Sequence, residues 1–160
     1  REGNIRNILV FYGGSDLTNE TMKALRSLAT LSLRSVTVNV VVGGSNPYRR
    51  EIQDFCRQQR NFFYFYQVNH IAALMNEADL SLGAGGTTIW ERHFLGLPSI
   101  VTAIAENQVK VCEDCAQAGM IEYLGEAANV SERAITAAVR RRLNASAALV
   151  DVPYRESIID

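Results

Sequence analysis

The stretch DLSLGAGGTTIWERHFLGLPSIVT, residues 79–102, decides the fold. Asp79–Leu82 reads as a strand, ended by Gly83-Ala84-Gly85-Gly86. Thr88–Leu95 reads as a helix, closed by Gly96 in the position where a left-handed residue stops a helix. Pro98–Thr102 reads as the next strand. Strand, glycine turn, helix and strand make one β-α-β unit, whose two strands must run parallel.

The same unit repeats on both sides. Ile8–Tyr12 is an unbroken apolar run, as a strand covered on both faces requires, and Gly13-Gly14-Ser15-Asp16 ends it. A helix follows from about Thr18, with Met22, Leu25, Leu28 and Ala29 on one face. Val36–Val42 is a second strand, ended by Gly43-Gly44; Pro47 suits the first turn of a helix reaching about Gln59. Phe62–Tyr66 is a third strand, and Asn69 is the expected N-cap of the helix carrying Ile71, Leu74, Met75 and Ala78. Beyond residue 102, a helix over Glu106–Ala118 stops at Gly119, and Met120–Leu124 is a short sixth strand. Ser131 caps a last helix to about Leu143, with Arg140–Arg142 in its final turn; the remainder to Asp160 shows no clear element. This pattern predicts a single α/β domain over residues 1–160, a Rossmann-like three-layer sandwich on a parallel six-stranded sheet. The leading strand order is 3-2-1-4-5-6, with the flavodoxin-like order as the alternative.

Length and composition agree. At 160 residues there is room for one core rather than two. Hydrophobic residues are 48% and charged residues 21%, which excludes a disordered chain, a collagen and a disulfide-stapled miniprotein. Sixteen basic and 17 acidic residues leave a net charge of −1, so no global field draws nucleic acid or an anionic membrane. No apolar run approaches the roughly 18 residues of a membrane span. Arg1-Glu2-Gly3-Asn4 has no signal-peptide layout and begins without Met, as a piece of a longer chain would. Cys112 and Cys115 form C-x-x-C inside a predicted helix, with no second pair or nearby His to complete a metal site. Buried packing in a reducing, cytoplasmic compartment is the expectation, with no metal.

In the order 3-2-1-4-5-6, strands 1 and 4 are neighbours and the chain reverses direction between them. Ligands bind in the crevice beyond their carboxyl ends. The turns Gly13-Gly14-Ser15 and Gly83-Ala84-Gly85-Gly86 both face that crevice, and each is expected to open a helix whose free N–H groups favour an anion. Neither turn continues as G-K-[ST], and Thr88 stands where G-x-G-x-x-G needs its last glycine, so an ordinary ATP or dinucleotide site is disfavoured. Glu91 has two readings. Thr88-Ile89-Trp90-Glu91 matches a capping box, and the position also suits a carboxylate accepting from two ribose hydroxyls. Glu106-Asn107-Gln108 at a helix start are either solvated caps or sugar-binding groups. His70 and His93 have no Ser, Cys or carboxylate partner at close spacing, so the chain shows no complete catalytic apparatus.

Four segments together carry a family likeness: residues 11–16, residues 83–91, Gly96-Leu97-Pro98-Ser99 and Ala105-Glu106-Asn107-Gln108. Over residues 7–125 the chain resembles the C-terminal half of the UDP-sugar hydrolase of pseudaminic-acid biosynthesis and its spore-coat polysaccharide relatives. It is more distantly similar to the GlcNAc transferase of the lipid II pathway. The resemblance implies a GT-B enzyme of two Rossmann-like domains. In it the C-terminal domain holds UDP or a UDP-sugar, water attacks the anomeric carbon with inversion, and no cofactor is needed. It implies that Gly13, Gly14, Ser15 and Asp16, with Gly85, Gly86, Thr87 and Thr88, surround the diphosphate. Glu91 would take the ribose hydroxyls, and Val68, within the segment from Gln67 to Ile71, would flank the uracil. Glu106, Asn107 and Gln108 would face the sugar or the attacking water, with Asn107 nearest the chemistry. The family's catalytic His belongs to an N-terminal domain that this sequence does not include, and neither His70 nor His93 matches it. The implied partner is therefore that domain, and the isolated chain is expected to bind nucleotide and hydrolyse little.

Overall fold

The structure is a computed structural model; it describes residues 3–151, and side chains as far as Ser146. The strands are β1 (Asn7–Phe11), β2 (Thr37–Val42), β3 (Phe62–Tyr66), β4 (Leu80–Ala84), β5 (Ser99–Ala103) and β6 (Glu122–Glu126). The helices are α1 (Glu20–Ala29), α2 (Arg49–Arg57), α3 (Ile71–Glu77), α4 (Thr88–Phe94), α5 (Glu106–Gln117) and α6 (Glu132–Asp151). All strand pairs are parallel, in the order β3-β2-β1-β4-β5-β6. This is the predicted doubly wound sheet, and the flavodoxin-like alternative falls.

Period-two alternation assigns each strand residue to a layer. Ile8 and Val10 of β1 point with Val38, Val40, Leu80 and Leu82 into a core closed by α1, α2 and α6. Leu9 and Val41 point the other way, against Leu74, Met75 and Ala78 of the α3 region. Val101 and Ala103 meet Ile89 of α4 and Cys112 and Cys115 of α5 on that second face. Both faces of the central strands are thus covered, which is why β1 and β2 are largely apolar.

Several boundaries differ from the sequence reading. Gly83 and Ala84 belong to β4 rather than to the turn, because the ladder continues through Phe11↔Gly83 and Ala84↔Thr102. β6 lies at Glu122–Glu126, two residues later than expected. α1 starts at Glu20, not Thr18, after Asn19 in the left-handed region at φ 55°. Pro47 stands before α2, whose cap is Tyr48, and His70 rather than Asn69 occupies the cap of α3. α6 runs on past Leu143, so Arg140–Arg142 lie mid-helix, and Arg141 and Arg142 reach Glu122 of β6 at 2.6 and 3.3 Å. Arg1, Glu2 and residues 152–160, the last being most of the tail read as lacking an element, lie outside the described residues.

Candidate functional site

β1 continues to β2 on one side and β4 to β5 on the other, so the crevice opens above the carboxyl ends of β1 and β4. A cavity of about 430 Å³ lies there, lined by Phe11 to Asp16, Ala84, Gly86, Thr87, Thr88, Ile104 and Gln108. That volume is within the usual range of small-molecule sites, about 300–1,000 Å³. A larger cavity of about 710 Å³ lies at the opposite end of the sheet among Leu33, Arg34 and Gln58 to Asn61, away from both glycine turns.

The first turn departs from expectation in one respect. Asp16, at φ 49° and 2% exposed, folds its carboxylate back onto α1. It accepts from the N–H groups of Glu20 and Thr21 at 2.8 Å each and from the Thr21 hydroxyl at 2.6 Å. Asn19 takes the N–H of Met22 at 3.2 Å. The N-terminus of α1 is therefore capped by the protein itself and offers no free donors to the crevice. What remains is the turn's own backbone. The N–H groups of Gly14 and Ser15 make no hydrogen bond to the described residues, and Gly13 holds φ 90°, open to glycine. The turn is buttressed from behind. The Ser45 N–H donates to the Gly14 carbonyl at 3.1 Å, and Gly43 packs so closely on the Gly14 backbone that a Cβ at 43 would overlap it.

The second turn keeps its donors. The N–H of Gly85 bonds to the Thr102 carbonyl at 3.1 Å, while those of Gly86, Thr87 and Thr88 bond to none of the described residues. Thr87, not Thr88, is the cap of α4, and it makes no side-chain capping bond. The capping box is thus not formed: Glu91 is exposed, and its carboxylate accepts no hydrogen bond from the described residues. Gln108 reaches in from α5. Its Oε1 accepts from the Ile104 N–H at 2.9 Å, which leaves Nε2 as a donor beside Gly86.

The structure therefore brings together Gly13, Gly14, Ser15, Asp16, Gly86, Thr87, Thr88 and Gln108. Gly85 is buried just beneath them. Glu91, Glu106 and Asn107 are exposed and do not line the cavity. Val68 is partly buried against the α3 cluster, also outside it.

Sequence reading missed Tyr12, Gly43 and Arg92. Tyr12 lines the cavity at 2% exposure; burial, then the negative charges of Glu20 and Asp16, push its phenol far up, so it stays neutral. Arg92 is 3% exposed behind the second turn. It donates from Nη2 to the Ala84 carbonyl at 2.8 Å and from Nε to the Thr88 carbonyl at 3.2 Å. Burial pushes it down to about 10, so it is charged at neutral pH. Its one sequence signal is a cation three residues from Ile89, on the apolar face of the helix. Cys112 and Cys115 are free and buried, and burial pushes the Cys112 thiol up to about 11. Among the described residues no three His, Cys, Asp or Glu side chains are grouped as metal ligands, and no helix is long and apolar enough to cross a membrane.

Comparison with known proteins follows the same lines. Residues 7–144 match the Glycosyltransferase family 28 C-terminal domain. The chain is 28% identical over 121 residues to the spore coat polysaccharide biosynthesis protein SpsG of Bacillus subtilis, covering 75% of this chain and 36% of that protein. It is 31% identical over 112 residues to an uncharacterized protein of Methanocaldococcus jannaschii, covering 68% of this chain and 23% of that one. The chain thus spans little more than a third, or less, of these curated relatives. Among solved structures, WaaG, a glycosyltransferase involved in lipopolysaccharide biosynthesis, superposes with a TM-score of 0.67 at 23% identity, over 87% of this chain and 38% of its own. Acinetobacter baumannii MurG does so with a TM-score of 0.67 at 18% identity, over 90% of this chain and 43% of its own. These two likenesses establish a shared fold. With its strand order, its paired turns and the match over residues 7–144, the chain belongs to the glycosyltransferase family 28 C-terminal domain family.

Proposed function

We propose that this chain holds the diphosphate of a UDP-sugar, as the nucleotide-binding half of an enzyme that releases UDP from the sugar. One observation carries the reading. Two turns about 70 residues apart in the chain line one cavity with unbonded backbone N–H groups at Gly14, Ser15, Gly86, Thr87 and Thr88. Such donors suit the oxygens of a diphosphate, and they stabilise the charge that develops as it leaves. Gly13 lets the backbone approach the ligand closely, and Gly85, packed on Cys112, seats the second turn beneath it. Asp16 supports the first turn by holding α1.

The free carboxylate of Glu91 is available to the ribose hydroxyls, and Val68 flanks the uracil. Gln108, Glu106 and Asn107 face the sugar, Asn107 orienting the attacking water. Water adds its oxygen to the anomeric carbon from the face opposite the diphosphate. The bond from that carbon to the diphosphate oxygen breaks, UDP departs with the electron pair, and the water's proton passes to a base in the companion N-terminal domain. The likeness to SpsG, a spore coat polysaccharide biosynthesis protein, supports a sugar destined for surface polysaccharide; we extend the proposal to flagellin glycan and to a cytoplasmic setting. The family 28 match supports a second reading, in which an acceptor hydroxyl replaces water and the same half-site serves a transferase.

Calorimetric titration with UDP tests the site: heat of binding and a raised melting temperature are expected. No heat and no shift at millimolar UDP would overturn the proposal. Joined to its N-terminal domain, the hydrolase releases UDP from a UDP-sugar without acceptor, whereas strict dependence on an acceptor selects the transferase.

A further inference from the structure

We infer that Arg92 is a positioning residue for that diphosphate: its guanidinium, set behind the wall of the crevice, supplies a fixed positive charge to which the bound ligand is the counterion. The inference rests on the diphosphate reading above. The geometry is that of a built site. The two carbonyls it holds belong to Ala84 and Thr88, both of which line the cavity and bracket the second turn. A Cβ at Gly83 would overlap Nη1 and meet the Phe11 carbonyl at 2.5 Å, so the absence of a side chain at 83 is what admits the guanidinium between the ends of β1 and β4. Phe11 and Tyr12, on its other side, also line the cavity.

Charge makes the case sharper. A buried cation ordinarily has a carboxylate partner, since removing it from water is costly. Among the described residues Arg92 forms no ion pair. The buried carboxylates of the described residues are engaged elsewhere, Asp16 on the N-terminus of α1 and Glu20 on Lys23 at 2.7 Å. Glu91, the adjacent residue, is exposed. A di- or trianion seated on the free N–H groups of the second turn would lie one backbone layer from the guanidinium, in a setting where charge is poorly screened. The arginine also aims those N–H groups by pinning the carbonyls on either side of them.

General damage to the fold would weaken every ligand alike, a clamp without a charge role would be lost equally in Arg92→Lys and Arg92→Met, and this gives the test. Affinities for UDP, inorganic pyrophosphate and uridine are measured for the wild type, Arg92→Lys and Arg92→Met. Arg92→Met should lose roughly tenfold or more in affinity for UDP and pyrophosphate, with uridine unchanged within about twofold and Arg92→Lys in between. Equal losses for UDP and uridine, or no loss, would overturn the inference. A wild type that binds no UDP would instead sink the site itself. Should the variants not fold, the Nε–H resonance of Arg92 in wild-type protein decides. It should shift on adding UDP or pyrophosphate and stay in place with uridine, and no shift with any of them, or the same shift with all, refutes the role.

Discussion

Gly85 lies directly over the Cys112 thiol: a Cβ at 85 would occupy space that Cys112 Sγ already fills. Cys112 of α5 therefore acts as packing beneath the second turn. Gly85→Ala should destabilise by roughly 1–3 kcal/mol, the usual cost of overpacking. Adding Cys112→Ala should recover part of that loss. A double-mutant cycle by chemical denaturation measures the coupling, and simple additivity would contradict the contact.

Gly14 and Gly86 behave differently from Gly43. No atom lies within 4 Å of a Cβ at Gly14, and one at Gly86 would rest 3.7 Å from Gln108 Nε2. Gly14→Ala and Gly86→Ala should leave stability within about 1 kcal/mol while weakening UDP binding, because the new methyl enters the ligand's space. Gly43→Ala should instead destabilise the fold, since its Cβ meets backbone that cannot rotate away. Melting curves alongside UDP titrations separate the two classes.

Asp16→Ala should cost roughly 2 kcal/mol or more, because it strands two buried N–H groups and a hydroxyl. Asp16→Asn should cost less, as Asn tolerates the left-handed backbone and keeps one acceptor oxygen. Thermal unfolding of both variants checks the order.

Glu91→Gln should leave stability within about 0.5 kcal/mol, since the exposed carboxylate bonds to no described residue. If Glu91 takes the ribose hydroxyls, UDP affinity should fall several-fold and affinity for inorganic pyrophosphate should not change.

Cys56 gives a pH dependence. Burial pushes its thiol up to about 12 from 9.0 in the unfolded chain. Below pH 9 both states keep the proton and the group is neutral in its effect. Above that the unfolded state ionises first, so stability declines as pH rises towards 12. Relative to Cys56→Ala, the wild type should lose stability over that window, as denaturant melts at pH 8, 9.5 and 10.5 would read out; parallel stabilities would contradict it.

The amino-acid sequence alone determined the layered fold and narrowed the strand order to two arrangements, between which the assembled sheet decided. A strand covered on both faces must be a continuous apolar run, as at Ile8–Val10 or Val40–Val42. With short glycine-ended connections and right-handed crossovers, few arrangements of such runs survive. It also located both turns, because Gly13-Gly14 and Gly85-Gly86 interrupt those runs where the chain must bend above the sheet. Only the tertiary structure decided which donors stay free and what stands behind them. Asp16 turns back onto α1 through a left-handed residue, which no local pattern of its neighbours announces. Gly43 against Gly14, Cys112 under Gly85 and Arg92 against Gly83 are contacts set by packing rather than by periodicity. Between strands and helices joined through a sheet, such a meeting depends on the register of several elements at once, and it becomes visible only when they are assembled.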